Sequence, residues 1–255
     1  MLLRWAEKIV DAFFAVVPRP KPCCERAQQT LLIAHRGVPT QGINENTLAA
    51  FQNAQELGCW GIEFDVHRTA DGVFVVNHDP DLYRLWGHDA TIAQLSFAEL
   101  RRVVPEIPSL AEVVARYGTV LHLLIELKIP LADESAFLQA LHPCIPVKDY
   151  HLLTLNASYF SSLTHCPKQT LLLVAAHNNV AEFCDLSLKE QYGGVLGNYL
   201  LLGKRQRHRL AAARQIFGVG QINSKYSLYR ELNRNTRWIF TNQASTLTAC
   251  LKSLR

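Results

Sequence analysis

Two acids stand two residues apart in the stretch Ile62-Glu63-Phe64-Asp65-Val66. On a strand, that spacing puts both carboxylates on one face, about 6.5–7 Å apart along the backbone. The flanking Ile62, Phe64 and Val66 face the other way and read as core. Two buried carboxylates side by side repel one another and hold a proton more tightly, and a divalent cation between them removes that cost. An all-oxygen ligand set suits a hard ion, Ca²⁺ or Mg²⁺. Taken alone, the pair would also fit an exposed edge strand with two solvated acids. Glu126 and Lys128 repeat the spacing at the end of the apolar run that starts at Leu121. An acid closing so apolar a strand calls for a cation or for an ion pair with its neighbour. Glu126 is therefore a third candidate metal ligand, and Lys128 a candidate for holding an anionic oxygen such as that of a phosphate.

His35 and His78 are the candidates for proton transfer. Each ends an apolar run, in Ala34-His35-Arg36-Gly37 and in Val76-Asn77-His78-Asp79. Cleaving a phosphate diester requires one group to take a proton from the attacking oxygen and another to give one to the leaving oxygen. Two imidazoles titrating near neutrality suit those tasks. Arg36 can offset phosphate charge with a forked pair of donors. The other eight histidines have no comparable setting.

Short apolar runs alternate with helical patterns along the rest of the chain, the mark of a parallel sheet. Strands are expected at 31–35, 61–66, 120–127, 150–155, 170–175, 194–199, 216–222 and 238–241. Asp71-Gly72 is a turn signal, and Val73 to Val76 is β-branched and aromatic, so residues 61–78 predict a hairpin leaving the sheet. Helices are expected at 46–57, ended by Gly58, at 91–104 and at 109–117. Eight strand–helix units fit a (β/α)8 TIM barrel, whose chemistry sits at the C-terminal ends of its strands. Two segments make up the chain on this reading: residues 1–29, an N-terminal amphipathic helix and linker, and the barrel domain, 30–255.

With 255 residues, 49% hydrophobic and 19% charged, the chain can bury a sizeable core and is not a disordered polymer. A formal net charge of +4 is compatible with an anionic substrate or surface but gives no ground for nucleic-acid binding. Seven cysteines, an odd number with no C-x-x-C pair, argue against a disulfide framework or a zinc site. They predict small core residues in a reducing compartment, so a cytoplasmic location. Between residues 2 and 17, Leu2, Ala6, Ile9, Phe13 and Val17 follow helical spacing, opposite Arg4, Glu7, Lys8 and Asp11. Glu7 and Asp11 interrupt the apolar run, so no cleavable signal peptide is expected and the stretch is too short to span a bilayer. An amphipathic helix there either packs on the domain or lies on a membrane surface or a second copy. The basic run Lys204 to Arg209 reads as a solvated helix face, or as a second point of contact with acidic headgroups.

Order and spacing over residues 31–128 resemble the glycerophosphodiester phosphodiesterase family. The resemblance rests on His35-Arg36-Gly37, Glu45-Asn46-Thr47 with Ala50-Phe51, and Ile62-Glu63-Phe64-Asp65-Val66. It continues through Thr69-Ala70-Asp71-Gly72, Val76-Asn77-His78-Asp79 with Leu82 and Arg84, Ile107 to Val113, and Ile125-Glu126-Leu127-Lys128. It implies a barrel whose first half carries the hairpin, and His35 and His78 as the acid–base pair. It implies Glu63, Asp65 and Glu126 as ligands of one divalent cation, with Arg36, Glu45 and Lys128 nearby to bind substrate. The implied reaction is hydrolysis of a glycerophosphodiester to an alcohol and glycerol 3-phosphate.

From residue 129 onward the likeness loosens. Where the family commonly shows Trp-Thr-Val-Asn, this chain has Gly220-Gln221-Ile222-Asn223, and Thr241-Asn242 stands for a usual Thr-Asp. Thr154-Leu155 stands for a serine–phenylalanine pair. Loss of the tryptophan widens the implied site, so a bulkier lysophospholipid is the alternative substrate, cleaved by a membrane-associated lysophospholipase D-like or sphingomyelinase D-like enzyme. A silent barrel used as a binding protein is the reading from another class, and the complete set of histidines and acids argues against it.

Overall fold

A computed structural model describes residues 12–176 and 178–255. Eight parallel strands close on themselves: β1 (Leu31–His35), β2 (Gly61–Arg68), β4 (His122–Leu127), β5 (Tyr150–Thr154), β6 (Leu171–Ala175), β7 (Gly194–Asn198), β8 (Ile216–Gly220) and β9 (Trp238–Thr241). A ninth strand, β3 (Phe74–Val76), pairs antiparallel with the end of β2, matching Val66 to Val76. The closing seam is β1 against β2 on one side and β9 on the other. This is the (β/α)8 barrel with the hairpin excursion.

Alternation along each strand splits the core in two. Ile62, Phe64, Val66, Leu123, Ile125 and Leu127 face outward into the layer shared with the helices. Ile33, Leu124, Leu153, Leu172, Leu196 and Phe240 fill the barrel interior. Steps of two residues then stack three interior levels on β4, β5 and β9: His122-Leu124-Glu126, His151-Leu153-Leu155 and Trp238-Phe240-Asn242. The middle level is apolar, so a dry plug separates the floor from the mouth.

The excursion is larger than a hairpin. Val75, Leu82, Ile92, Leu100, Val104 and Ile107 form a small core of their own. The single helix expected over 91–104 is in fact a 3₁₀ turn, Ile92–Gln94, and a helix, Phe97–Val103. Ser96 and Glu99 cap one another's backbone reciprocally, and such a box starts a new helix rather than continuing an old one. The expected linker also carries a helix, Cys24–Gln28, with Ala27 buried and Arg26 donating to Asn233 at 2.8 Å.

The expected N-terminal helix lies outside the described residues as far as residue 11. Residues 12–16 are helical. Phe14 rather than Phe13 docks: its ring meets Tyr199 edge-on at 6.0 Å, with the Arg230 guanidinium 4.9 Å away. Phe13 and Val16 stay exposed. The basic run falls in the helix Lys204–Ala212, where Arg207 is buried and paired to Glu231 at 2.8 Å. A fully solvated face is therefore wrong at Arg207, because the helix must bury one side against its neighbours. All seven cysteines are free; Cys59, Cys166 and Cys184 are buried, while Cys23 and Cys24 are exposed rather than core. Among the described residues, no helix is long and apolar enough to cross a membrane.

Candidate active site

Beyond the C-terminal ends of the strands a cavity of about 350 Å³ opens, lined by His35, Arg36, Glu63, His78, Glu126 and Lys128. The two halves of its wall differ. β1, β2 and β4 supply the charged side chains. The strands from β5 round to β8 contribute Leu153, Leu155, Val174, Ala175, Leu196 and Gly220, none of them charged.

Strand register explains the charged half. Glu63 and Asp65 face inward on β2, and Asp65 pairs across to Glu126 on β4. All three are buried, with one carboxylate oxygen from each lying within 4.8 Å of the others. Burial pushes the Glu63 carboxyl well up, and the Asp65 and Glu126 charges add to that. Glu126 is raised by burial and by Asp65. Burial also acts against ionised Asp65, but Lys128 and Arg36 outweigh it and hold that group below its ordinary value. Lys128 is 2.9 Å from Asp65 Oδ1 and also pairs with Glu126, yet Asp65 Oδ1 has no hydrogen bond of acceptable angle. Three buried carboxylates drawn together, with only Lys128 and Arg36 to offset them, fit a hard divalent cation.

Around this triad stands a ring of donors. Arg36 follows β1 at φ 60°, and its Nε lies 3.3 Å from Asp65 Oδ2 while Nη1 donates to Glu45 at 3.0 Å. Gly37 takes φ 78°, and a Cβ there would meet the backbone of Ala50 at 2.8 Å, so this turn admits only glycine. Asn46 donates to Asp65 Oδ2 at 2.8 Å. That contact is available because Thr47 caps the helix Leu48–Leu57 and leaves Asn46 just outside it at φ 61°.

The two histidines enter from β1 and from the end of the hairpin, and each is held through Nδ1. His35 Nδ1 donates to Asn242 Oδ1 at 2.7 Å, while its Nε2 lies 3.8 Å from Glu63 Oε2. Burial and the adjacent Arg36 push His35 below its ordinary value. His78 Nδ1 donates to Asp79 Oδ1 at 2.7 Å. Asp79 is tied in turn to Arg84, which also donates to Glu45 at 2.8 Å.

Residues 35–143 match the Glycerophosphoryl diester phosphodiesterase family. The match covers less than half of this chain. A Glycerophosphodiester phosphodiesterase from Caldanaerobacter subterraneus subsp. tengcongensis is 41% identical over 75 residues, 29% of this chain and 30% of the relative. The protein from Homo sapiens named Lysophospholipase D GDPD1 is 38% identical over 90 residues, 34% of this chain and 28% of the relative. The chain thus matches about a third of the length of these curated relatives. Among solved structures, a glycerophosphodiester phosphodiesterase from Thermotoga maritima superposes with a TM-score of 0.74 at 24% identity, covering 86% of this chain and 97% of that one. An Oleispira antarctica phosphodiesterase, solved with the product sn-glycerol-3-phosphate, has a TM-score of 0.68 at 22% identity, covering 87% and 96%. At these identities the structural likeness concerns the fold.

The structure brings together all eight residues singled out in the sequence: His35, His78, Arg36, Glu45, Lys128, Glu63, Asp65 and Glu126. Sequence reasoning missed the residues behind them. Asp79 and Arg84 were quoted as motif letters without a role, although an acid adjacent to a candidate histidine was a signal. Asn46 holds Asp65 by its position ahead of the helix cap. Asn242 was read only as a departure at the barrel mouth; nothing in the sequence joins it to His35, 207 residues away.

Proposed function

We propose that this chain hydrolyses glycerophosphodiesters to an alcohol and glycerol 3-phosphate. The observation that carries the reading is one cavity lined by Glu63 and Glu126, two members of a three-carboxylate cluster, and by two imidazoles, each tied through Nδ1. Glu63, Asp65 and Glu126 would hold one divalent cation, Ca²⁺ or Mg²⁺. When bound it supplies Lewis-acid polarisation of a phosphate oxygen. Arg36 and Lys128 offset the remaining phosphate charge, and Glu45 orients Arg36 and Arg84. His35 and His78 exchange protons with the attacking and leaving oxygens. The named product of the Oleispira antarctica relative is consistent with this reaction. The test is release of glycerol 3-phosphate from glycerophosphocholine, with and without EDTA. Metal-dependent release is the expected result; a rate equal to the blank with either ion overturns the assignment.

A second reading is favoured by the uncharged half of the cavity wall. Leu155 continues it outward and is itself exposed. A Cβ added at Gly220 would meet nothing within 4 Å, so the space beside it is open. A single hydrocarbon tail can lie along this wall, which makes a lysophospholipid the alternative substrate, as the name of the human relative says of that protein. Peripheral membrane contact through residues 2–17 and 204–209 belongs to this reading. Exposed Phe13, Val16, Lys204 and Arg205 support it, and failure to sediment with anionic vesicles at low salt would sink it. Seven free thiols support a cytoplasmic location.

A further inference from the structure

We infer that Asn242 is a positioning residue for the proposed reaction: it fixes the tautomer and the orientation of His35. The inference rests on the hydrolase reading above and reaches a residue on the far edge of the barrel seam. β1 and β9 pair in parallel with Ala34 opposite Thr241, so the next residues on the two strands, His35 and Asn242, come side by side at the mouth. The amide oxygen of Asn242 lies 2.7 Å from His35 Nδ1. A carbonyl oxygen can only accept, so Nδ1 carries the hydrogen and the neutral ring keeps its lone pair on Nε2. That nitrogen faces the cavity on the side of Glu63.

The backbone turn that carries Asn242 is itself held. Asn242 N–H donates to Asn223 Oδ1 at 2.9 Å, and Thr241 Oγ1 donates to the same oxygen at 3.3 Å. Gln243 N–H donates to Thr241 Oγ1 at 2.8 Å and closes the turn. A brace from the loop after β8 thus sets the turn after β9, and that turn sets the ring on β1. The other imidazole has a different backing. His78 Nδ1 meets a carboxylate, Asp79, itself pinned by Arg84. One ring is steered by a neutral amide and the other by an anion, so the two are not equivalent although both line the site.

The experiment compares the full chain with Asn242→Leu, Asn242→Asp and Asn223→Ala. The readouts are kcat and KM for glycerophosphocholine, the thermal midpoint, and the His35 tautomer from ¹⁵N-labelled imidazole spectra. Leucine keeps the volume and removes the acceptor, so kcat falls 10- to 100-fold, KM changes less than threefold, and the Nδ1–H signature of His35 is lost. Aspartate restores an acceptor and brings kcat within fivefold of the parent chain. Alanine at 223 gives a smaller kcat loss with the tautomer partly retained. A parent His35 bearing its hydrogen on Nε2 overturns the inference, as does an Asn242→Asp variant no better than Asn242→Leu. If the parent chain cleaves no diester, the hydrolase reading fails by itself, and the tautomer of His35 with and without Asn242 still decides this one.

Discussion

Two pairs of histidines stand at opposite ends of the same barrel. His35 and His78 are at the mouth; His122 and His151 are at the floor. At the floor His122 Nε2 lies 2.8 Å from His151 Nδ1, and His122 Nδ1 donates to the Lys148 carbonyl at 3.1 Å. Trp60 stacks on His122 at 4.2 Å, and Trp238 sets its edge against both rings. The carbonyl forces the hydrogen of His122 onto Nδ1, so His151 must donate in turn and its Nε2 is left buried and bare. Burial drives His122 down to about 4 and His151, with His122 beside it, down to about 3. The floor pair spends its polarity on itself and on the backbone, and stays neutral. The mouth pair turns Nδ1 to fixed acceptors and lines the cavity. His122 and Glu126 lie on one strand, roughly 13 Å apart at about 3.3 Å per residue. The apolar level between them is all that separates a packing histidine from a chemical site.

The comparison breaks first on the mouth pair. His35→Ala and His78→Ala each lower kcat by about 10²- to 10⁴-fold with the thermal midpoint within a few degrees of the parent. By contrast, His151→Ala leaves kcat near the parent value and costs roughly 2–4 kcal/mol in urea unfolding, as an emptied core position does. Near-normal turnover in both mouth variants would put the chemistry elsewhere.

Next comes the carboxylate triad. Glu63→Gln removes a buried carboxyl whose ionisation is opposed by burial, Asp65 and Glu126, so the metal-free protein unfolds at a temperature no lower than the parent. The same variant gains less stability from added Ca²⁺ or Mg²⁺ and loses at least tenfold in activity. A lower metal-free midpoint would show that Glu63 is compensated from some other direction.

Acid sharpens the contrast at the floor. Both folded values there are depressed, so stability is complete above about pH 6.5, where the unfolded rings are also neutral. As pH falls, the unfolded chain takes protons that the folded chain refuses, and stability drops by about 1.4 kcal/mol per pH unit for each ring. The loss runs from pH 6.5 down to about 4 for His122 and about 3 for His151. Urea midpoints from pH 7.5 to 4 in the parent and in His151→Gln measure it; equal slopes in the two would sink the account.

The smaller effects lie at the rim. Arg84→Ala frees Asp79 and Glu45 from a shared donor, and a three- to tenfold loss in kcat is expected from a looser His78. Gly220→Trp fills the open side of the cavity, where no neighbour stands within 4 Å. It lowers kcat/KM for a lysophospholipid by several-fold and leaves glycerophosphocholine within twofold, if the uncharged wall carries a tail.

Much of the charged half was legible because it lies in local patterns. Glu63 and Asp65 share a strand face, Glu126 and Lys128 share another, and His35 and His78 end their runs. Residues 31–35 and 238–241 matched the observed strands to the residue, and the other strands differ only at their ends. Thr91 to Val104 misled because its apolar spacing was weighed without the Ser96–Glu99 box. Lys204 to Arg209 misled because composition does not say which arginine turns inward.

By itself the sequence determined the strand periodicity, the eight units, the hairpin, and the acids and histidines that share a face. Those follow from intervals of two to four residues, over which backbone geometry alone decides the direction of a side chain. Only the closed barrel decided that Asn242 would reach His35, that Glu126 would sit opposite Asp65, and that His122 would be sealed below while His35 opened above. Each of those depends on strand register and burial between segments far apart in the chain, and no local spacing encodes either.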